Sequence, residues 1–212
     1  MRITKKHPMY IAVQLMNTDT RRCVWLPLPA TKDEFAAALN RIGVKNGNFQ
    51  IVDYNRRVPG VTIDTLMCAP LCAVNHFASR LNRLTDADLL KLCAIGDSNY
   101  YFGMIWQLIE YTYKPDNYTL LPGICDEESL GRYYLGNEHA AVHGAKLRQC
   151  IDRYEYGKRL AEMESGAFTA LGYITSKDKW SSKRKPRPVP DSLNLRGYLN
   201  EDLYGDWDDC EW

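Results

Sequence analysis

The sequence predicts an α+β fold built from three small units and a C-terminal tail. Runs of β-forming residues stand near the start and again after residue 117, and apolar residues at helical spacing fill much of the stretch between them. After residue 175 the composition becomes basic and proline-rich, which is typical of an extended linker rather than a packed core. The predicted parts are an N-terminal α/β unit, a helical middle unit, a C-terminal α/β unit and a tail, at residues 1–62, 63–115, 116–175 and 176–212.

The first unit is predicted to contain three strands and one helix. The strands cover residues 9–15, 23–26 and 49–54. The second strand is expected to end at Pro27, because proline cannot donate a hydrogen bond to its neighbour. Thr31 and Glu34 have the spacing of a capping box, in which each side chain satisfies the backbone amide of the other. The helix that they open is predicted to run to about Ile42.

Three helices are predicted in the middle unit. Pro70 suits the first turn of the first helix, where its missing N–H is not needed. Thr85 is the predicted N-cap of the second helix, and Gly96 is expected to end it. A third helix is predicted from about residue 98. The turn sequence at residues 114–117 marks the boundary to the next unit.

The third unit is predicted to combine a strand, two helices and a strand or hairpin. The strand covers residues 118–121, and the strand or hairpin covers residues 167–174. Asp126 and Asp152 are the predicted N-caps of the two helices, which run to about residues 135 and 163.

Charge is unevenly distributed along the chain. The 212 residues have a net charge of +1, but residues 1–60 hold ten basic and four acidic side chains, a net +6. Residues 176–191 carry a net +4, and the acidic, aromatic residues 192–212 carry a net −5. This asymmetry predicts charged patches that can steer a charged partner.

The cysteines and the apolar segments indicate a compartment. Seven cysteines without a repeating spacing favour reduced thiols in a reducing environment. No apolar run reaches the roughly 18 to 20 residues that a membrane helix needs. The sequence therefore predicts a cytoplasmic protein without a membrane partner.

The sequence does not contain a convincing catalytic motif. His139 and His143 stand one helical turn apart, but Ala140 occupies the place of the glutamate in the helical zinc motif. Cys68 and Cys72 have the spacing of half a metal knuckle, and no second pair answers them. We predict no metal, no cofactor and no enzymatic activity. A nuclease or peptidase site assembled from distant residues is the alternative that these patterns leave open.

Two sets of charged residues are candidate binding surfaces. The acidic set, at a predicted helix start, is Asp126, Glu127 and Glu128. Acidic side chains there complement the helix dipole, and they can also present negative charge to a partner. The basic set is Arg21, Arg22, Arg56 and Arg57, with a further run at residues 183–187. These side chains are either solvated or in contact with the phosphates of a nucleic acid.

Several short motifs occur in an order that resembles one protein family. They include Trp25-Leu26-Pro27-Leu28-Pro29, Leu121-Pro122-Gly123-Ile124, Leu130-Gly131-Arg132-Tyr133-Tyr134 and Ile151-Asp152-Arg153-Tyr154-Glu155-Tyr156-Gly157. Each motif is short, but together they span about residues 10–175 and resemble the ArdA antirestriction proteins.

The resemblance implies an elongated, curved, non-catalytic inhibitor that dimerises through its C-terminal unit. Such proteins, carried by mobile genetic elements, imitate bent duplex DNA and occupy the DNA-binding groove of type I restriction-modification enzymes. The predicted partner-binding residues are Asp126, Glu127, Glu128, Arg132, Tyr133, Glu138, Asp152 and Glu155. The chain departs from the family pattern, because it is nearly neutral where DNA mimics are strongly acidic.

Three functions follow as hypotheses. The first is antirestriction by partial DNA mimicry, which requires a continuous stripe of carboxylates. The second is an anti-CRISPR or other anti-defence inhibitor on the same scaffold, which binds a nuclease by shape or holds nucleic acid through the basic N-terminal unit. The third is an enzyme such as a nuclease, which a cleavage assay with added metal tests.

Overall fold

The computed structural model describes residues 11–45, 47–58, 60–98, 103–137, 150–177 and 187–195. Its helices and small antiparallel sheets confirm the predicted α+β class. The chain forms two compact units. Unit 1 combines Met1–Asp86, Phe102–Tyr113 and Ser181–Trp212, and unit 2 combines Ala87–Tyr101 and Lys114–Trp180. The finer division into three units and a tail stays a prediction.

Unit 1 contains a three-stranded antiparallel sheet with the order β2-β1-β3. Its strands are β1 (Ile11–Asn17), β2 (Cys23–Leu28) and β3 (Phe49–Arg56). Helix α1 (Lys32–Arg41) begins at the predicted capping box, in which the Glu34 amide donates to Thr31 Oγ1 over 3.3 Å and the Thr31 amide donates to Glu34 Oε2 over 2.8 Å. Alternate β1 residues and the inner face of α1 are fully buried, at Ile11, Val13, Leu15 and Phe35.

The predicted end of β2 is wrong, because the strand continues through Pro27 to Leu28. Pro27 lies opposite Ala12 of β1, on a strand at the edge of the sheet. An edge strand tolerates proline, since one of its sides does not need backbone donors.

The other helices of unit 1 are α2 (Ile63–Met67), α3 (Leu71–Leu81) and α5 (Ile105–Tyr113). The sequence analysis did not predict α2, which is short and has Thr62 as its N-cap. Pro70 is the N-cap of α3 and does not lie within its first turn. Nearly every residue of α3 is buried, so this helix is the centre of the unit 1 core.

Helix α4 (Asp86–Asp97) runs through Gly96, where the sequence analysis placed its end. A glycine inside a helix costs about 1 kcal/mol relative to alanine. The packing of Leu92, Ala94 and Ile95, which are almost completely buried, outweighs that cost.

Unit 2 contains a second three-stranded antiparallel sheet, with the order β4-β6-β5. The strands are β4 (Tyr118–Pro122), β5 (Ala167–Thr169) and β6 (Gly172–Ser176), and the last two form the predicted hairpin. Helices α6 (Glu127–Asn137) and α7 (Arg153–Glu164) begin where their predicted caps stand.

Residues 187–195, named here the C-terminal strap, lie on the surface of unit 1 and contact it through Arg187 and Leu193. The strap contains a short 3-10 helix at Asp191–Leu193, and Leu195 is completely buried. The sequence analysis did not predict the contacts that these nine residues make with unit 1.

Candidate functional site: an acidic helix pair

Both helices of unit 2 begin with an aspartate that accepts hydrogen bonds from its own first turn. The Ser129 amide donates to Asp126 Oδ1 over 2.7 Å. The amides of Tyr154 and Glu155 donate to Asp152 Oδ1 over 2.9 and 3.1 Å. The hydrogen bonds from Ser129 hold the pKa of the Asp126 carboxyl below its usual value, so the carboxylate remains ionised at neutral pH.

The two helices cross where a glycine of each meets the backbone of the other. A Cβ atom on Gly157 would overlap the Glu127 carbonyl, and one on Gly131 would overlap the Arg153 carbonyl. Residue 127 thus lies opposite residue 157, and residue 131 lies opposite residue 153, so the helices are antiparallel. Glycine permits such an approach because it carries no side chain.

The crossing begins in the first turn of both helices and reaches their fifth residues, Gly131 and Gly157, which brings the acidic starts together. These turns carry five of the predicted partner-binding residues: Asp126, Glu127, Glu128, Asp152 and Glu155. Four of the five are exposed, and Glu127 is half-buried. We name this set the acidic helix pair.

An open depression of about 410 Å³ lies between the start of α6 and the second half of α7. Glu127 and Glu162 contribute carboxylates to its lining, and Lys158 contributes an ammonium group. The sequence analysis singled out neither Lys158 nor Glu162, because their relation to Glu127 depends on the crossing of the helices.

The remaining predicted residues of α6 have local partners. Arg132 donates to Glu128 Oε1 over 2.8 Å, in an ion pair with both side chains more than half exposed. Such exposed pairs contribute little stability. Tyr133 packs edge-on against Tyr134, with ring centroids 5.5 Å apart. Glu138 lies outside the described residues.

Glu164, at the end of α7, has a structural role. Its carboxylate accepts hydrogen bonds from the Tyr134 hydroxyl over 2.8 Å and from the Tyr173 hydroxyl over 3.0 Å. The residue therefore ties α7 to α6 and to strand β6.

The predicted basic set does not form one cluster. Arg21 and Arg22 lie at the turn next to the pair Met16–Cys23, whereas Arg56 lies opposite Ile11 at the other end of β1. Five residues of β-strand separate these ends, about 17 Å at 3.4 Å per residue. Arg56 is half-buried and shares its face with the fully buried Ile11, so it differs from the exposed Arg57.

The described residues offer neither a metal-binding cluster nor a membrane-spanning helix. Within the described residues there is no group of three or more His, Cys, Asp and Glu side chains that could hold a metal ion. His139 and His143 lie outside these residues. Across the same part of the chain, no helix combines the length and the apolar character needed to cross a membrane.

The family model for antirestriction protein (ArdA) matches residues 17–175, three quarters of the chain and the whole of the acidic helix pair. The chain belongs to the ArdA family of antirestriction proteins. The resemblance found in the sequence motifs is thereby confirmed. The ArdA match ends before the C-terminal strap, so the strap and the residues after it lie outside the family region. A search of curated proteins found no significant match.

Proposed function

We propose that this ArdA family member inhibits a type I restriction-modification enzyme by occupying its DNA-binding surface with the acidic helix pair. The crossing at Gly131 and Gly157 carries the proposal, because it places two acid-capped helix starts side by side. Duplex DNA presents about one negative charge per 1.7 Å of its axis. A protein that competes for the same surface needs closely spaced carboxylates, and the helix pair supplies them.

Rigidity supports this function. Asp126 and Asp152 are fixed by hydrogen bonds to their own helices, and the helices are fixed to each other through their backbones. Groups held in place before binding lose little conformational entropy when a partner arrives. Occupancy of the groove is sufficient for inhibition, so the proposal needs neither catalysis nor a cofactor, and the protein acts in the cytoplasm where the enzyme meets DNA.

Basic side chains on the same two helices offset part of their negative charge, so the proposed DNA mimicry is partial. Helix α7 carries Arg153, Lys158 and Arg159 among its acids. Arg132 pairs with Glu128 and removes part of its charge from the surface. The target surface is therefore expected to combine many cationic side chains with a few acceptors.

A cleavage assay tests the proposal. The variant Glu127→Gln/Glu128→Gln/Glu155→Gln removes three charges from the helix pair and keeps both aspartate caps. We expect it to raise the half-inhibitory concentration at least about tenfold, because each lost charge pair weakens a desolvated contact by about 1 kcal/mol or more. The readout is cleavage of plasmid DNA by a purified type I enzyme.

The matched control removes the same number of charges from unit 1, as Asp33→Asn/Asp53→Asn/Asp64→Asn, where all three side chains are exposed. Inhibition should stay within about twofold of the parent, because these acids lie outside the proposed contact. Equal losses in both variants would show that total charge, and not the helix pair, governs inhibition.

The alternative target, a CRISPR or other defence nuclease, stays a prediction. The same is true of nucleic-acid contact through Arg21, Arg22, Arg56 and Arg57, and of the homodimer that the family resemblance implies. A pull-down from a restriction-proficient bacterial lysate separates the targets, since recovered methyltransferase or specificity subunits identify a restriction enzyme and a recovered Cas nuclease identifies the alternative.

A further inference from the structure

The C-terminal strap is held on helix α5 by its first residue. The Arg187 guanidinium donates to both Glu110 oxygens, from Nε to Oε2 over 2.5 Å and from Nη2 to Oε1 over 3.3 Å. Its central carbon lies 4.4 Å from the centroid of the Tyr113 ring. A two-pronged ion pair and a stacked ring fix the direction of this side chain.

The other end of the strap is held by helix α3. The amide of Asn75, a completely buried side chain, donates to the Leu193 carbonyl over 3.2 Å and to the Ala30 carbonyl over 2.9 Å. Its oxygen accepts from the Ala30 amide over 2.7 Å. Leu195 is buried beyond these contacts, so the chain leaves the described part of unit 1 from a fixed point near α3.

Arg80 and Arg187 both stack on the Tyr113 ring, and the charge of the exposed Arg83 acts on the neighbouring His76. We name these three residues the arginine cluster. Arg80 donates to the Thr112 carbonyl over 2.9 Å, and its guanidinium carbon lies 3.9 Å from the Tyr113 ring centroid. Tyr113 is 37% exposed, so the cluster faces solvent.

The positive charges of the arginine cluster all act on one buried imidazole, that of His76. Burial lowers the pKa of His76, and the positive charges of Arg80, Arg187 and Arg83 lower it further. His76 Nε2 lies 3.0 Å from the Tyr113 hydroxyl. Glu110 neutralises Arg187, which leaves the charges of Arg80 and Arg83. Asp86, three residues after Arg83, is the nearest acidic residue to them in the sequence.

The residues that follow the strap have the opposite charge. Residues 196–212 contain six acidic side chains and one arginine, a net −5, with the aromatic residues Tyr198, Tyr204, Trp207 and Trp212. Arg80 stands five residues beyond Asn75 on α3, a distance of about 7.5 Å along the helix axis. A few residues of extended chain span that distance at about 3.3 Å each.

We propose that the acidic segment at residues 196–212 docks in cis on the arginine cluster. Covalent attachment gives the segment an effective concentration in the millimolar range, so a weak contact is occupied within one molecule. Its aromatic rings suit a surface that already stacks guanidinium groups on a tyrosine. A separate polyanion with the same charges does not gain this effective concentration.

The docked segment would offset positive charge that unit 1 otherwise shows to a cationic partner. This consequence rests on the proposed function, because it matters only if the target surface is the cationic groove of a DNA-binding enzyme. The docking itself can be measured without any enzyme, so its failure and the failure of the proposed function are distinguishable.

The test is a fluorescence anisotropy titration with a labelled peptide of residues 196–212. It uses the full-length chain and a full-length neutral-tail variant in which the six acids are replaced: Glu201→Gln, Asp202→Asn, Asp206→Asn, Asp208→Asn, Asp209→Asn and Glu211→Gln. The neutral-tail variant should bind the peptide at least about tenfold more tightly than the parent, whose own tail competes at high effective concentration. Binding should weaken as salt is added.

Two substitutions in the neutral-tail background locate the site. Arg80→Gln/Arg83→Gln, and Arg83→Gln alone at an exposed position, should weaken peptide binding, the double change by about tenfold. The control Arg21→Gln/Arg22→Gln removes equal charge elsewhere in unit 1 and should change it less than about twofold. Thermal melts establish that each variant is folded.

Three results would overturn the docking. They are equal peptide affinity in the parent and the neutral-tail variant, no binding of the peptide at low salt, and an equal loss in the Arg21/Arg22 control. A labelled 12-base-pair duplex serves as the second probe. Tighter binding of the duplex than of the peptide by the neutral-tail variant would identify nucleic acid as the occupant instead.

Discussion

The two units hold their central helices in different ways. In unit 1, α3 is fixed by side chains, and the buried Asn75 joins it to the chain at Ala30 and to the strap at Leu193. In unit 2, α6 and α7 are fixed by direct backbone contact at two glycines. Packing without side chains leaves the surrounding carboxylates free to face outward. The two units therefore differ in what holds their helices, which is side-chain hydrogen bonding in unit 1 and close backbone packing in unit 2.

The largest expected effect comes from adding a methyl group where α6 and α7 approach each other most closely. Gly157→Ala places a methyl group against the Glu127 carbonyl, and a backbone group cannot move aside as a flexible side chain does. We expect a loss of about 3 kcal/mol in the free energy of unfolding, at the upper end of the usual range for overpacking. Urea denaturation measures it.

The control for this change is Gly136→Ala in the other helix of the pair, α6. A Cβ atom there meets nothing within 4 Å. The substitution should stabilise the protein by up to about 1 kcal/mol, the usual gain when alanine replaces glycine in a helix. If both variants behaved alike, the close approach of α6 and α7 would be refuted.

A smaller effect is expected from the side-chain contact of unit 1. Asn75→Ala leaves the Ala30 amide and two carbonyl groups without their partner. Buried polar groups that lose a partner cost about 1–3 kcal/mol, and we expect a loss of about 2 kcal/mol in the free energy of unfolding. The exposed Asn55→Ala serves as control and should change stability by less than about 0.5 kcal/mol.

The strap gives a second readout for the Asn75 variant. Limited proteolysis should cut near residues 187–195 faster than in the parent, because the Leu193 carbonyl has lost its donor. An unchanged cleavage rate together with a normal free energy of unfolding would contradict the role given to Asn75.

The smallest expected effect is the pH dependence of the α6 cap. The pKa of Asp126 is lowered in the folded protein by the Ser129 hydrogen bonds, while an unfolded aspartate titrates near 3.9. A lowered carboxyl pKa stabilises the fold above about pH 4, and this stability is lost as the pH falls through the folded pKa. The stability difference between the parent and Asp126→Asn should therefore be largest above pH 4 and shrink in more acidic buffer. A difference independent of pH would argue against the ionised cap.

Local chemistry could be predicted from the sequence, and contacts between distant residues could not. The capping box at Thr31 and the caps at Asp126 and Asp152 depend on neighbours within a few residues, and the structure contains all three. Helix α4 and strand β2 pass through Gly96 and Pro27 because burial and an edge position override local propensity.

The contacts that position the acidic helix pair could not be predicted, because they join residues of two different helices. Gly131 and Gly157 appear in the sequence as glycines inside helices, an unfavourable place that signals close packing but does not identify the partner. The strap was missed for a related reason. Its hydrogen bonds to unit 1 involve Glu110 and Asn75, which stand 77 and 118 residues from Arg187 and Leu193.

A competition experiment tests the central claim most directly. Labelled duplex DNA bound to a purified type I restriction enzyme is titrated with the protein, at several enzyme concentrations. DNA mimicry predicts complete release of the DNA, an apparent dissociation constant for DNA that rises in proportion to inhibitor concentration, and loss of this effect in the Glu127/Glu128/Glu155 variant. Inhibition of cleavage while the DNA stays bound in a ternary complex would contradict it.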